Sequence, residues 1–238
     1  MDHTPSITKA TQPYLFQNGF ILTNLPEADL SILERNTNIE SGKRGHILFR
    51  QNGFPNGVYW LIDGMAKIYQ ESPTGQKHTV YIYSKKDLIG FRQLIAEEQH
   101  PVSAALLEDS TYRFIPGEIF RDLLNTSPFF VRNVLTALAR EFSVWSNRMT
   151  SFTHFPGRKR LVLALLILHE QYRMSGVPGG EITITRTEIA EYIGATLETV
   201  VRMLNNLKSH HLVSLVGRKI ILKDIDGLLK ILEPKTEI

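Results

Sequence analysis

Thr185-Arg186-Thr187-Glu188-Ile189-Ala190-Glu191-Tyr192-Ile193-Gly194-Ala195-Thr196-Leu197-Glu198-Thr199-Val200-Val201-Arg202-Met203-Leu204 reads as two short helices joined by a tight turn. Thr185 and Glu188 have capping-box spacing, in which two side chains satisfy free amides at a helix start. Ile189 and Ile193, one turn apart, give the first helix an apolar side, and Ala190 lets a second helix cross closely. Gly194 stands where the chain must reverse, a position that usually needs positive φ. Thr196 is placed to cap a second helix whose Val200, Met203, Leu204 and Leu207 recur at helical spacing and face inward. Leu197, Glu198, Val201 and Arg202 then form its outer face. An arginine donates two bonds to guanine and a glutamate accepts from cytosine, so this face suits the DNA major groove. An ordinary helical hairpin is the plainer alternative; Ala190, Gly194 and Val200 together with the capping box favour the DNA-reading pair.

The flanking segments extend this reading. Residues 212–216 and 220–222 have strand character around the basic turn Gly217-Arg218-Lys219, a wing whose cations are placed for backbone phosphates. His210-His211 closes the second helix, where a histidine caps the dipole or approaches phosphate. Upstream, residues 158–168 form an apolar helix after Phe155-Pro156-Gly157, whose Pro-Gly pair marks a hinge and domain boundary. Residues 173–180 read as an exposed loop.

Residues 128–154 are helical, and Val131, Leu135, Leu138, Phe142, Trp145, Met149 and Phe152 fall at alternating intervals of four and three. That unbroken heptad pattern predicts a seam against a second copy of the helix. An amphipathic helix resting on its own domain is the alternative, although a 3.6-residue stripe drifts from a strict heptad.

From about residue 38 to 116 the pattern is one of short strands, at 47–50, 58–62, 66–69, 78–83 and 111–115, separated by turns at Gly42, Gly45, Asn52-Gly53, Asn56-Gly57, Asp63-Gly64 and Pro73-Thr74-Gly75. Even spacing with glycine turns predicts a small antiparallel barrel or jelly roll. A short helix precedes it at 26–34, with Asn24 as its cap and Pro26 near its start. The first 24 or so residues lack periodicity and read as partly disordered. The expected class is therefore α+β in three parts: residues 1–127, a dimerisation helix at 128–155, and a winged helix-turn-helix at 156–238.

Composition narrows the function classes. The chain has 238 residues and no cysteine, which excludes disulfides, thiolate catalysis and cysteine-ligated clusters. No apolar run is long enough to span a bilayer, and the N-terminus lacks the pattern of a secretory signal, so a cytoplasmic protein without a membrane partner is expected. The net charge of +3 is unevenly placed: residues 156–238 hold 12 Lys and Arg against 9 Asp and Glu, and the remainder holds 15 against 15. The positive excess lies with the helix pair, where it favours phosphate binding.

Barrel, long helix, hinge and winged helix-turn-helix, in that order over residues 20 to 225, resemble the CRP/FNR superfamily of bacterial transcription regulators. The similarity is strongest from Ile184 through Leu207 and in Gly157-Arg158. It implies a homodimer that reads a palindromic site on double-stranded DNA, with RNA polymerase as a further partner and a small-molecule effector of unknown chemistry. The family's base-reading Glu and Arg match Glu198 and Arg202; its phosphate contacts match Thr185, Arg186, Thr196 and Arg218, with Lys219 beside them. Leu197, similar to the FNR branch, and Val201, which stands where that branch has serine, are placed to touch thymine methyl groups.

The resemblance also implies where an effector would sit: Gly90-Phe91-Arg92, Val102-Ser103 and Ser143. Cyclic-AMP binders in the family carry a Glu at the position of Phe91 and an Arg at that of Val102. Cyclic AMP is accordingly not expected as the effector, since its phosphate would be buried without a charge partner. Arg92 is expected at the surface. No cofactor or metal site is expected: His46, His78 and His100 are isolated, and the His-x-His pair of a cupin metal centre is missing. With no persuasive catalytic triad, phosphate loop or carboxylate pair, an enzyme is not expected. The alternative class is a cupin-like ligand-binding protein or enzyme whose helix pair is only structural.

Overall fold

The computed structural model describes residues 4–23 and 25–233. It opens with helix α1 (Thr4–Thr11), a single 3-10 turn (Gln12–Tyr14), α2 (Phe20–Thr23) and α3 (Glu27–Asn36). Residues 4–14 and 20–23 are thus helical, where partial disorder was expected. Asn24, expected to cap α3, lies outside the described residues, and Pro26 occupies the N-cap.

Eight strands follow: β1 (Asn38–Gly42), β2 (Ile47–Phe49), β3 (Gly57–Asp63), β4 (Ala66–Glu71), β5 (Lys77–Tyr83), β6 (Leu88–Ile89), β7 (Ser103–Leu106) and β8 (Ser110–Pro116), with α4 (Phe91–Ala96) between β6 and β7. They form two four-stranded antiparallel sheets, β1-β8-β3-β6 and β2-β7-β4-β5. This is the strand order of an eight-stranded jelly roll, in place of a single continuous barrel.

Strand β3 illustrates why the sequence folds this way. Its side chains alternate between two faces. Val58 and Trp60 join Leu88, Leu94, Ile115 and Phe120 in an apolar core beside the helices. Tyr59 points to the other face, where its ring lies 5.2 Å from Phe114, 5.7 Å from Tyr112 and 6.1 Å from Phe49 of β2. Aromatic rings therefore fill the space between the sheets.

Helix α5 (Gly117–Thr126) leads into α6 (Pro128–His154), which has the expected limits. Along α6 the buried residues are Phe130, Val134, Ala137, Glu141, Val144, Arg148 and Ser151. These too recur at alternating four and three, offset by one residue from the sequence-derived seam. Phe130, Val134 and Ala137 close the helix-side core, and burying each large apolar side chain contributes roughly 1.5–3 kcal/mol.

Helix α7 (Gly157–Met174) is buried almost throughout, from Leu161 to Tyr172. It is followed by α8 (Arg186–Ile193), α9 (Leu197–Ser209), the hairpin β9 (Val213–Val216) and β10 (Lys219–Leu222), and α10 (Ile225–Leu232). The α+β class and the order jelly roll, long helix, winged helix-turn-helix agree with expectation. By backbone contacts, one compact unit is Gln17–Phe142; the other joins the described residues up to Phe16 with those from Ser143 onward. The division thus falls inside α6.

Candidate nucleic-acid interface

The two short helices have the expected punctuation. The Thr185 side chain accepts from the Glu188 amide at 3.1 Å, and the Thr185 amide donates to Glu188 Oε2 at 2.6 Å, which closes the capping box. Gly194 ends α8 at φ 63° and ψ 52°, the left-handed region that penalises a Cβ. Thr196 caps α9 by accepting from the Thr199 amide at 3.2 Å. Val200, Leu204 and Leu207 are buried, and Met203 is half-buried.

The opposite side of α9 presents Leu197, Glu198, Val201 and Arg202 together. Leu197 and Val201 are 48% and 40% exposed, Glu198 and Arg202 are exposed, and neither charge has a hydrogen-bond or ion-pair partner among the described residues. A face with two unpaired charges and two solvated apolar side chains suits a ligand that offers donors, acceptors and methyl groups. At the far end, His210 is the C-cap residue and its Nδ1 lies 2.8 Å from the Asn206 carbonyl.

The cations expected at backbone phosphates differ in their partners within the protein. Arg186 donates to the carbonyls of Arg218, at 2.6 Å, and Gly217, at 3.3 Å, so it ties the start of α8 to the wing turn. Lys219 belongs to β10, not to the turn, and pairs with Glu181 at 2.6 Å. The Arg218 side chain is exposed and makes no hydrogen bond or ion pair among the described residues. Of the cations singled out, Arg218 is therefore the one on the wing that is uncommitted.

The residues singled out for an effector each have surroundings of their own. Gly90 adopts φ 95° before α4, with its α-carbon facing Phe49 and His100. Those two rings stack at 3.9 Å, and burial pushes His100 down to about 4. Phe91 turns the other way, into the helix-side core against Phe120. Val102 is buried, and Ser103 Oγ accepts from the Gln51 amide at 2.9 Å. Ser143 is exposed on α6. Arg92 corrects the expectation of a surface arginine: it is largely buried, donating to Glu141 Oε2 and to the Tyr83 hydroxyl, each at 2.9 Å.

That pair belongs to a buried polar network which sequence reasoning missed. Asn18 Nδ2 donates to Glu141 Oε1 at 3.3 Å, and the Asn18 amide donates to Asp87 Oδ1 at 2.9 Å. The Ser84 amide donates to Asp87 Oδ2 at 3.0 Å. Burial raises the Glu141 carboxyl despite Arg92, and pushes Asp87 up to about 7 despite two backbone donors. The partners are far apart in sequence. The one signal available was a glutamate within the second four-three stripe of α6.

On the sequence-derived seam, Leu135, Phe142 and Met149 are 60%, 74% and 71% exposed. Val131, Leu138, Trp145 and Phe152 are half-buried, and Leu138 packs against the helix-side core. A groove of about 590 Å³ beside them is lined by Leu124, Val131, Leu135 and Ala139. Among the described residues no group of His, Asp and Glu is arranged to hold a metal ion, and no helix is long and apolar enough to cross a membrane.

Residues 39–127 match the cyclic nucleotide-binding domain family, and residues 159–231 match the Crp-like helix-turn-helix domain. The chain is similar to the anaerobic regulatory protein of Haemophilus influenzae, with 27% identity over 203 residues covering 84% of this chain and 77% of the relative. It is similar to the fumarate and nitrate reduction regulatory protein of Vibrio cholerae, with 26% identity over 202 residues covering 84% and 79%. Its fold is that of FixK2 from Bradyrhizobium japonicum, with a TM-score of 0.75 at 19% identity, covering 84% of this chain and 99% of that one.

Proposed function

From the premise that this chain belongs to the CRP/FNR superfamily of DNA-binding transcription regulators, we propose that it acts as a homodimer on a two-fold symmetric operator. Two copies of α9 would enter major grooves on half-sites about 34 Å apart. Glu198 and Arg202 read base edges, Leu197 and Val201 touch thymine methyls, and Thr185, Thr196 and Arg218 hold the phosphate backbone. Arg186 orients the wing, and Lys219 braces it against Glu181. The observation that carries this reading is the outer face of α9, where two unpartnered charges and two solvated apolar side chains stand on a helix fixed by its cap and buried back. DNA as partner implies the cytoplasm, with RNA polymerase as the second protein partner. Enzymatic activity is no part of the reading.

Selection of bound duplexes from a random pool yields the operator and tests the assignment. Arg202→Ala is expected to cost about 1–3 kcal/mol on that operator and to relax preference at one base pair per half-site. Arg218→Ala is expected to weaken binding to all duplexes alike, since a phosphate contact carries no sequence information. Titration against single-base variants separates the two; identical profiles contradict the assignment.

The effector, where one acts, is not cyclic AMP on this reading. Phe91 is committed to the core and Arg92 to Glu141, so a cyclic phosphate would lack a cation beside it. Unpaired burial of such a charge costs several kcal/mol, against about 8 kcal/mol for micromolar affinity. Calorimetric titration is expected to give no saturable heat. A one-per-subunit isotherm in the micromolar range rejects the expectation.

A further inference from the structure

The segment before the jelly roll lies across the junction of α6 and α7. Helix α1 packs on α7 and α10. Ile7 and Thr11 are buried, and Thr8 Oγ1 donates to Glu170 Oε2 on α7 at 3.2 Å. The chain then crosses to α6. Asn147 Nδ2 donates to the Pro13 carbonyl at 3.0 Å, the Tyr14 hydroxyl lies 3.0 Å from Ser151 Oγ, and Arg148 donates to the Tyr14 carbonyl at 3.5 Å. Between these anchor points α6 ends at His154 and α7 begins at Gly157, so the helices are joined by Phe155-Pro156 alone. Glu170 stands 13 residues along α7, a lever of about 20 Å at 1.5 Å per residue.

We propose that residues 7–16 form a clasp across the α6–α7 junction, which fixes the DNA-binding domain on the end of α6 and thereby raises affinity for paired half-sites. The inference rests on the dimeric, operator-binding reading above. Leu197, Glu198, Val201 and Arg202 stay exposed with the clasp in place, so it acts by orientation and not by covering the reading face. Arg148 reinforces it, since its guanidinium also lies over the Tyr192 ring of α8 at 4.7 Å. Without the clasp the two-residue joint is braced chiefly by the Phe152 and Tyr192 rings, 5.9 Å apart, and each recognition helix gains freedom to swivel. Capture of the second half-site is then a search, and the effective concentration that makes paired binding tight falls.

The consequence is specific to the number of half-sites. Ile7→Asp places a charge in the buried contact of α1 and releases it. Binding to the full operator is expected to weaken by about tenfold or more, while binding to a duplex with one half-site changes less than about twofold. The half-site duplex doubles as a check that α7 to α10 remain folded. Should Ile7→Asp lose half-site binding as well, Tyr14→Phe with Asn147→Ala decides the matter. That variant removes two of the three hydrogen bonds to α6 and leaves the one from Arg148 to the Tyr14 carbonyl, and the same selective loss is expected at smaller size. Equal losses on both duplexes in this second variant, no loss on the operator, or a gain there would each overturn the clasp. Wild-type protein that binds neither duplex would instead sink the regulator reading on which the clasp depends.

Discussion

Replacing Leu135 and Phe142 together with aspartate is expected to convert the protein to a monomer of unchanged secondary structure that has lost tight operator binding. Both side chains are mostly exposed on the single chain, at 60% and 74%, so the carboxylates meet water within the subunit and its fold survives. Against a second copy of α6 they would be buried without partners, which a stable interface does not tolerate. Leu138 is the wrong place for this test, despite its position in the four-three pattern, because it packs against its own core. A charge there would report on folding. Losing the partner removes intramolecular capture of the second half-site, so operator affinity should fall by about 10²–10⁴. Sedimentation that still shows the dimer mass rejects the seam.

The second large effect is expected inside the buried network. Arg92→Met leaves Glu141 with the Asn18 amide as its hydrogen-bond donor and without a cation. Breaking a buried pair by removing one member costs about 3–5 kcal/mol; since Arg92 keeps a quarter of its side chain exposed, a loss near 3 kcal/mol is expected. The deficit has a pH signature. Burial already raises the Glu141 carboxyl above its ordinary value, and loss of the guanidinium raises it further. A raised carboxyl contributes stability below its unfolded pKa that is lost as pH climbs through the folded one. Denaturant titrations should therefore show a small deficit near pH 5 and the full one near pH 8. Arg92→Met combined with Glu141→Leu is expected to recover most of it, because a packed apolar pair avoids burying a lone charge. A deficit independent of pH means that Arg92 acts through packing alone.

These two residues show where sequence reading stops. The capping box at Thr185 and Glu188, the turn at Gly194 and the cap at Thr196 were legible because each depends on neighbours within a few positions. The limits of α6 were legible for the same reason. Strand β7, Ser103-Ala104-Ala105-Leu106, was not, because its small residues carry little strand preference and it is held by pairing with β2 and β4. Arg92 read as a surface residue because its partner lies 49 residues away. The buried stripe of α6 escaped notice because Glu141, Arg148 and Ser151 interrupt its apolar character. Around the wing, charge alone did not separate Arg218, which has no partner among the described residues, from Arg186 and Lys219, which bond to the protein itself.

The two stripes on α6 are neighbours around the helix, and their order matters. A buried column from Phe130 through Val134, Ala137 and Glu141 to Ser151 is followed by half-buried Val131, Leu138, Trp145 and Phe152, and then by exposed Leu135, Phe142 and Met149. Leu138 of the middle column has two sides: one rests against the helix-side core, and the other borders the exposed column. Anything that shifts Leu138 against the core therefore alters the surface next to Phe142 in the same movement. On the dimeric reading, a change in the jelly roll would reach the face offered to a second copy without a chain of intermediaries, since Leu138 borders both. The middle column tolerates few substitutions, and variants within it should change assembly and folding together, whereas those at Leu135, Phe142 and Met149 change assembly alone.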